Sequence, residues 1–529
     1  LVDLALYQPF WAAHVEHALH WPGLEESVLW LRTHTREAKY LQNLPKAAWE
    51  AKAAELTPIS PESLADGAVD RAWFQRCYQK LGPKRWAVLH DSAKYASSGS
   101  GHTRAQLFAD AILGKVTEKE LVQRIKTKRH QDAARALGLL ALKPGDAGHK
   151  QVLARYKVLQ EMRRTSRKHG GSMLRAAEQR AVEIAMENLS WTAGFADPLR
   201  LQWAMEIEEL GDLAKGPVVV EVADTTVTLE IDEHANPTLS ATKAGKQLQA
   251  IPPKVKKDKR VVELADRLAD LRRQGSRVRN ALESAMCRGD TFAGDELATL
   301  FSHPLLKSAL SRLVLVGATK SGGTLIGYPD KNGKALRRHD ASLEPLKASD
   351  SLRIAHPLDL LATKHWHEWQ SECFKAERVQ PFKQIFREIY TPIESELAKG
   401  DAIASNLSRR YAGQQVQPRK SLALFGARGW VARPEEGVQR TFHHERITVH
   451  VEFEEGFYTP AEIDGLTLAG VSFSKAGKHE DIPIRDVPPR VFSEVMRDLD
   501  LVVSVAHRGE VDPEASHSTV EMRAALLKE

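Results

Sequence analysis

Residues 216–231 read GPVVVEVADTTVTLEI, and at this point the chain changes its period. Val218 to Val222 and Val227 to Ile231 are rich in β-branched residues, and Asp224 sits at the turn between them, which predicts two paired strands. A second pair, 238–243 and 246–250, turns at Ala244-Gly245. Pro252-Pro253 and the run KVKKDKR (254–260) then close a small β module as an exposed linker. Without this stretch the first half of the chain would read as all-helical.

Outward from it, both flanks return to a helical period. Residues 1–215 carry helix signals one after another. Thr117-Glu118-Lys119-Glu120 is a capping box, Leu174, Ala177, Ala181, Ile184 and Ala185 mark one apolar face, and Asp197-Pro198 starts a further helix. Downstream, Val261, Leu264, Leu268, Leu271, Val278 and Leu282 recur at helical spacing. A hairpin is expected over 313–328, a loop-rich segment after it, and alternating Ile447, Val449, Val451 and Phe453 as a strand. Pro488-Pro489 starts a helix through Leu499, and the apolar run 501–505 (LVVSV) reads as a buried strand.

The fold class is therefore α+β and predominantly helical. We expect an N-terminal helical superhelix or bundle, small antiparallel β modules and a C-terminal α/β segment. The expected divisions are 1–215, 216–252, 253–312, 313–355, 356–442 and 443–529. The chain begins at Leu1 and runs out after a capping box at Ser518-Thr519-Val520-Glu521, so the reading is of a fragment ending inside a helix.

Composition narrows the function classes. At 529 residues, with 42% apolar and 27% charged residues, the chain has the balance of a globular protein of several domains. No apolar run nears the ~20 residues that span a bilayer, and the N-terminus lacks a signal-peptide pattern. Cys77, Cys287 and Cys373 are scattered with no CxxC, which fits free thiols in the cytoplasm. Net charge is +6, yet residues 115–180 alone hold 17 Lys/Arg against 6 Asp/Glu. Lys126, Lys128, Arg129, Arg163, Arg164, Arg167 and Lys168 form the core of this basic patch, a candidate for nucleic acid or for a solvated helix face.

Candidate chemistry is sparse. His90-Asp91, followed by Lys94, looks like the HDxxK core of HD-type metal phosphohydrolases, which need His and Asp ligands around a divalent metal. His34 and Asp110 could serve as its partners. His365 and His367 invite a metal reading, but on a helix they diverge, leaving His365 with Glu368 and Glu372 while Trp366, Trp369 and Cys373 form a packing stripe. Gly317 to Thr324 nearly spells a phosphate loop but lacks its lysine, and reads as a hairpin turn. No cofactor motif is present.

The densest polar block is 356–442. Gln380-Pro381-Phe382-Lys383-Gln384-Ile385-Phe386-Arg387-Glu388-Ile389-Tyr390 predicts an amphipathic helix with Phe382, Ile385, Phe386, Ile389 and Tyr390 inward. After it come Arg409, Arg410, Tyr411, Gln414, Gln415, Arg419, Arg428 and Trp430. Forked arginines, amides and aromatics suit recognition of phosphate, carboxylate or bases, and suit an internal polar network equally well.

At these residues the chain resembles the bacterial domain-of-unknown-function 4132 family, also described as molybdate-metabolism-regulator-like. The resemblance rests on QPFKQIFREIYTP (380–392), RRYAG (409–413), FGARGW (425–430) and PPRVFSEVMRDLDLVVSVA (488–506), with DPLRLQWAMEI (197–207), GKQLQAIP (245–252) and LESAMCRGD (282–290) upstream. It covers nearly the whole chain. It implies a cytoplasmic protein that works beside a MoxR-type AAA+ ATPase or a von Willebrand A protein in a multi-protein stress or conflict system. It also implies a further C-terminal module, and it assigns no catalytic residue.

Overall fold

The computed structural model describes residues 1–35, 52–97, 101–166, 169, 171–320, 322–397, 406–433, 437–442, 444–454, 465–476 and 480–507. The expected helix after Ser518 lies outside them, as do Arg167 and Lys168. The chain divides into two compact units, Leu1–Glu209 and Leu210–Glu529.

The first unit is helical throughout its described residues. Its core is aromatic at the Leu24–His34, Arg71–Leu81 and Pro83–Ala96 helices: Trp30 packs on Phe74 with ring centroids 4.7 Å apart and meets Trp86 edge-on. Side-chain caps start the Arg71–Leu81 and Glu118–Lys128 helices. Asp70 accepts from the backbone N–H groups of Ala72 and Trp73, and Thr117 forms the expected capping box with Glu120. Asn188 is buried on the Ser172–Thr192 helix and joins three segments. Its Oδ1 accepts from Val69 N–H, and its Nδ2 donates to the carbonyls of Gly67 and Arg135. Gly138 lets a neighbouring turn approach that same helix, since a Cβ there would sit 2.5 Å from the Ala185 carbonyl oxygen.

The second unit is mixed. Strands β1 (Val218–Val222), β2 (Thr225–Ile231), β3 (Pro237–Lys243) and β4 (Lys246–Gln247) form an antiparallel meander in chain order, as the change of period predicts. Val227, Leu229 and Ala241 supply its buried face. The basic run after it is not simply a linker. Pro253–Lys256 makes a helical turn, and Asp258 caps the Lys259–Arg288 helix by accepting from Arg260 N–H. That helix ends on Gly289 at φ 75°, where a Cβ would collide with the Arg490 guanidinium.

A six-stranded antiparallel sheet follows, ordered β5-β10-β6-β7-β8-β9: β5 (Thr291–Ala293), β6 (Leu315–Ala318), β7 (Thr324–Pro329), β8 (Ala335–Arg337), β9 (Leu343–Pro345) and β10 (Ser351–Ile354). The expected hairpin is β6–β7, with Thr319 Oγ1 accepting from Gly323 N–H in its turn. The expected loop-rich segment after it supplies β8, β9 and β10. These strands are short, and too few residues alternate in each to show a period. A third sheet, ordered β11-β16-β15-β14-β13, contains β11 (Leu407–Ser408), β13 (Val431–Arg433), β14 (Gly437–Phe442), β15 (Ile447–Phe453) and β16 (Leu466–Lys475). Strand β12 (Gln415–Val416) pairs separately with β16.

Two sequence expectations are corrected. Residues 380–390 form bends and turns rather than a helix. Phe386, assigned to the apolar face, is exposed, while Gln384 and Arg387, assigned to the polar face, are buried. Bonds from those polar side chains replace the helical hydrogen bonds. Residues 501–505 are not a strand; they continue a single helix, Pro489–Ala506. Val502 and Ala506 extend the stripe of Val491, Val495 and Leu499, so burial at helical spacing overrides the β-branched composition.

Candidate functional site

The Pro489–Ala506 helix buries two carboxylates one turn apart, Glu494 and Asp498. An unpaired buried charge is costly, so each must be matched by donors. Around Glu494 the match is complete. Arg387 donates through Nε to Oε1 at 2.7 Å and through Nη2 to Oε2 at 2.6 Å, a two-pronged pair. The Cys287 thiol lies 3.0 Å from Oε2, and His356 Nε2 lies 3.0 Å from Oε1. His356 Nδ1 accepts from Leu358 N–H as the cap of the Pro357–Ala362 helix, which places the ring proton on Nε2, facing Glu494. Arg387 also reaches Glu283 on the Lys259–Arg288 helix at 2.8 Å.

The electrostatics follow from these contacts. Burial raises the Glu494 carboxyl, but the bonds from His356 and Arg387 outweigh it and hold the group well below the usual carboxylate range. Burial and the neighbouring Glu494 push the Cys287 thiol well up, so it remains a neutral donor rather than a nucleophile.

Asp498 gathers a second set. Arg428 Nη1 donates at 3.0 Å, Trp430 Nε1 at 2.9 Å and Arg440 Nη1 at 2.7 Å. The FGARGW segment, the end of the Pro418–Ala427 helix and strand β14 thus close on one carboxylate. Nearby, Arg410 donates to Glu396 and to the Thr391 carbonyl, and its guanidinium lies over the Phe492 ring. Burial, with Asp500 alongside, raises the phenols of Tyr390 and Tyr411. Gln384 bonds both backbone groups of Val314 and the carbonyl of Ala355, joining the QPFKQ segment to the backbone beside β6 and β10.

The recognition block proposed from sequence therefore splits. Arg410, Arg428 and Trp430 are committed to carboxylates, and Tyr411 and Gln414 are buried. Arg409, Gln415 and Arg419 are exposed. The residues that organise the block, Glu494, Asp498, Arg387 and Gln384, were not singled out from sequence. The available signal was two acidic residues at i, i+4 within an otherwise apolar helical stripe.

The basic stretch is similarly divided. Lys126 and Lys128 are exposed on the Glu118–Lys128 helix, and Arg164 is paired with Glu161 at the surface. Arg129 instead turns inward and grips the buried Glu178 with both Nε and Nη2, and Arg163 is half-buried. Arg155 is buried and spans Glu118 and the carbonyls of Leu140 and Ala141.

His90 and Asp91 diverge. His90 is buried, and burial and His102 lower its pKa, whereas Asp91 is exposed and paired with Lys94 at 2.8 Å. His34 is fully buried edge-on to Trp30. Among the described residues no group of metal ligands forms around them. One group does form elsewhere, from His339, His365 and Glu368. His367 stays outside it, 77% exposed, with Nε2 3.9 Å from Glu368.

Two family models match the chain. Residues 1–205 match a family of unknown function (DUF5724), and residues 245–430 match a domain of unknown function (DUF4132). No curated protein and no solved structure matches it. The second match is narrower than the resemblance implied: residues 197–205 fall in the other family's span, and 488–506 lie beyond both. Neither family description mentions molybdate. Arg387, His356, Cys287 and Gln384 all lie inside the second match, and the segment 245–430 belongs to the DUF4132 family.

Proposed function

We propose that the chain is a non-catalytic scaffold or adaptor that docks protein partners. The observation that carries this reading is the commitment of the most reactive-looking groups of 356–442, and of Cys287 beside them, to bonds within the fold. Cys287, His356, Arg387, Arg428 and Arg440 all serve Glu494 or Asp498. Such a saturated network holds a surface rigid rather than moving protons or electrons. The exposed Arg409, Gln415 and Arg419 are left to meet a partner.

The partner suggested by the family resemblance is a MoxR-type AAA+ ATPase or a von Willebrand A protein in the cytoplasm. Co-purification of the chain with such an ATPase tests it. Capture is expected for the wild type and is expected to fall in an Arg409→Glu, Arg419→Glu double variant that unfolds normally. Equal capture by both, or none by either, removes the reading.

A nucleic-acid role keeps one supporting observation, the exposed Lys126 and Lys128 on one helix. It requires affinity that falls steeply with salt, as phosphate contacts release counterions. Affinity that does not change with salt excludes it.

A further inference from the structure

His339, His365 and Glu368 come from two separate pieces of the second unit. His339 lies in the turn between β8 and β9, and His365 immediately precedes the Trp366–Lys375 helix. Glu368 is three residues along that helix, on the same face as His365. The backbone on either side is bent into the left-handed region without glycine, at Ala341 (φ 68°) and Lys364 (φ 62°). That conformation is uncommon for residues with a Cβ.

The rings are held in place. His339 stacks on His365 with centroids 5.2 Å apart and an interplanar angle of 24°, and its ring meets the buried Trp369 edge-on at 5.4 Å. Nδ1 of His339 lies 2.8 Å from Glu368 Oε2, and Nδ1 of His365 lies 3.0 Å from Oε1. Yet Glu368 Oε2 is buried and has no hydrogen-bond partner. The 2.8 Å approach is close but is not directed along an N–H bond. Two donor atoms at such a separation without a hydrogen bond is what ligands of one ion show. Zinc bound at ~2.0–2.1 Å in a tetrahedron sets its ligands roughly 3.3 Å apart. One ligand atom from each of the three residues lies within 4.8 Å of the others.

We propose that His339, His365 and Glu368 bind a zinc ion. Two imidazoles and one carboxylate are a borderline-soft set that suits this metal, and three protein ligands leave a fourth position for water or a partner's side chain. The site is reachable from solvent, because His365 is exposed. This inference is independent of the scaffold reading: the ion could stay structural or receive a partner group.

Titration of the full chain with cobalt(II), followed by visible d–d absorption, tests the site, with zinc displacement as the readout of affinity. One equivalent with tetrahedral-type bands is expected. His365→Ala and Glu368→Gln are each expected to weaken zinc by at least about 10-fold, since even residues behind a metal's ligands cost 10–100-fold. His339→Ala should do the same, and the exposed His365 variant keeps the test decisive if loss of His339 disturbs Trp369. No saturable binding by the wild type, or zinc affinity unchanged in His365→Ala and Glu368→Gln, overturns the proposal.

Discussion

Glu494 and Glu368 are both glutamates that face histidine, yet their surroundings assign them opposite parts. Glu494 is 1% exposed and its two oxygens receive Arg387 twice, His356 and Cys287. Nothing remains for a ligand to satisfy. Glu368 is about one-third exposed, and one of its oxygens is buried without a hydrogen bond while two imidazoles crowd it. Residue type does not separate the two. What separates them is whether the donors and acceptors already balance within the fold.

The largest effect should come from unbalancing the closed site. Glu494→Ala leaves the buried Arg387 guanidinium with Glu283 but without its two-pronged partner and should cost about 3–5 kcal/mol, read by urea unfolding. A loss under about 1 kcal/mol would mean that Arg387 finds water or another acceptor. At the open site the sign reverses: added zinc should raise stability, by about 2.7 kcal/mol at a concentration 100 times its dissociation constant. A melting temperature indifferent to zinc would erase the contrast.

Acid should separate the two units. Burial and Arg104 hold the His34 imidazole well below its ordinary value, so the folded first unit binds that proton less readily than the unfolded chain. The stability this gives is complete above about pH 6.5 and is lost as pH falls through the folded pKa, at up to ~1.4 kcal/mol per pH unit. The Glu494 carboxyl is also depressed, so its contribution is complete above about pH 4.3 and is lost only below that. Replacing His34 with leucine should flatten the unfolding midpoint between pH 6.5 and 5; a slope unchanged by His34→Leu refutes the assignment. The smallest effect belongs to the solvent-facing arginines. Arg409→Ala and Arg419→Ala should each alter stability by no more than about 0.5 kcal/mol in thermal unfolding, and larger losses would move them into the internal network.

Much of the fold was legible because most elements announce their period. The switch at 216–231, the Lys259–Arg288 helix, the β6–β7 hairpin and β15 all follow from spacing alone. QPFKQIFREIY misled because its apolar spacing is ideal for a helix, while Gln384 and Arg387 make their bonds to Val314, Ala355 and Glu494, remote in sequence. LVVSV misled because a β-branched run ended a helix whose buried stripe had not yet run out. The metal ligands were half legible. His365 and Glu368 share a helix turn, but His339 lies 26 residues before His365 and is brought in by strands too short to show a pattern.

Arg387 and Glu494 act as one internal pair, and a double-mutant cycle reads that directly. Arg387→Met and Glu494→Leu should each lose about 3–5 kcal/mol in urea unfolding, because each leaves a buried charge without its two-pronged partner. The double variant, with both charges gone, should recover much of that loss and give a coupling of at least about 1.5 kcal/mol. Additive losses with no coupling would contradict the account and show that Arg387 and Glu494 do not act as a pair.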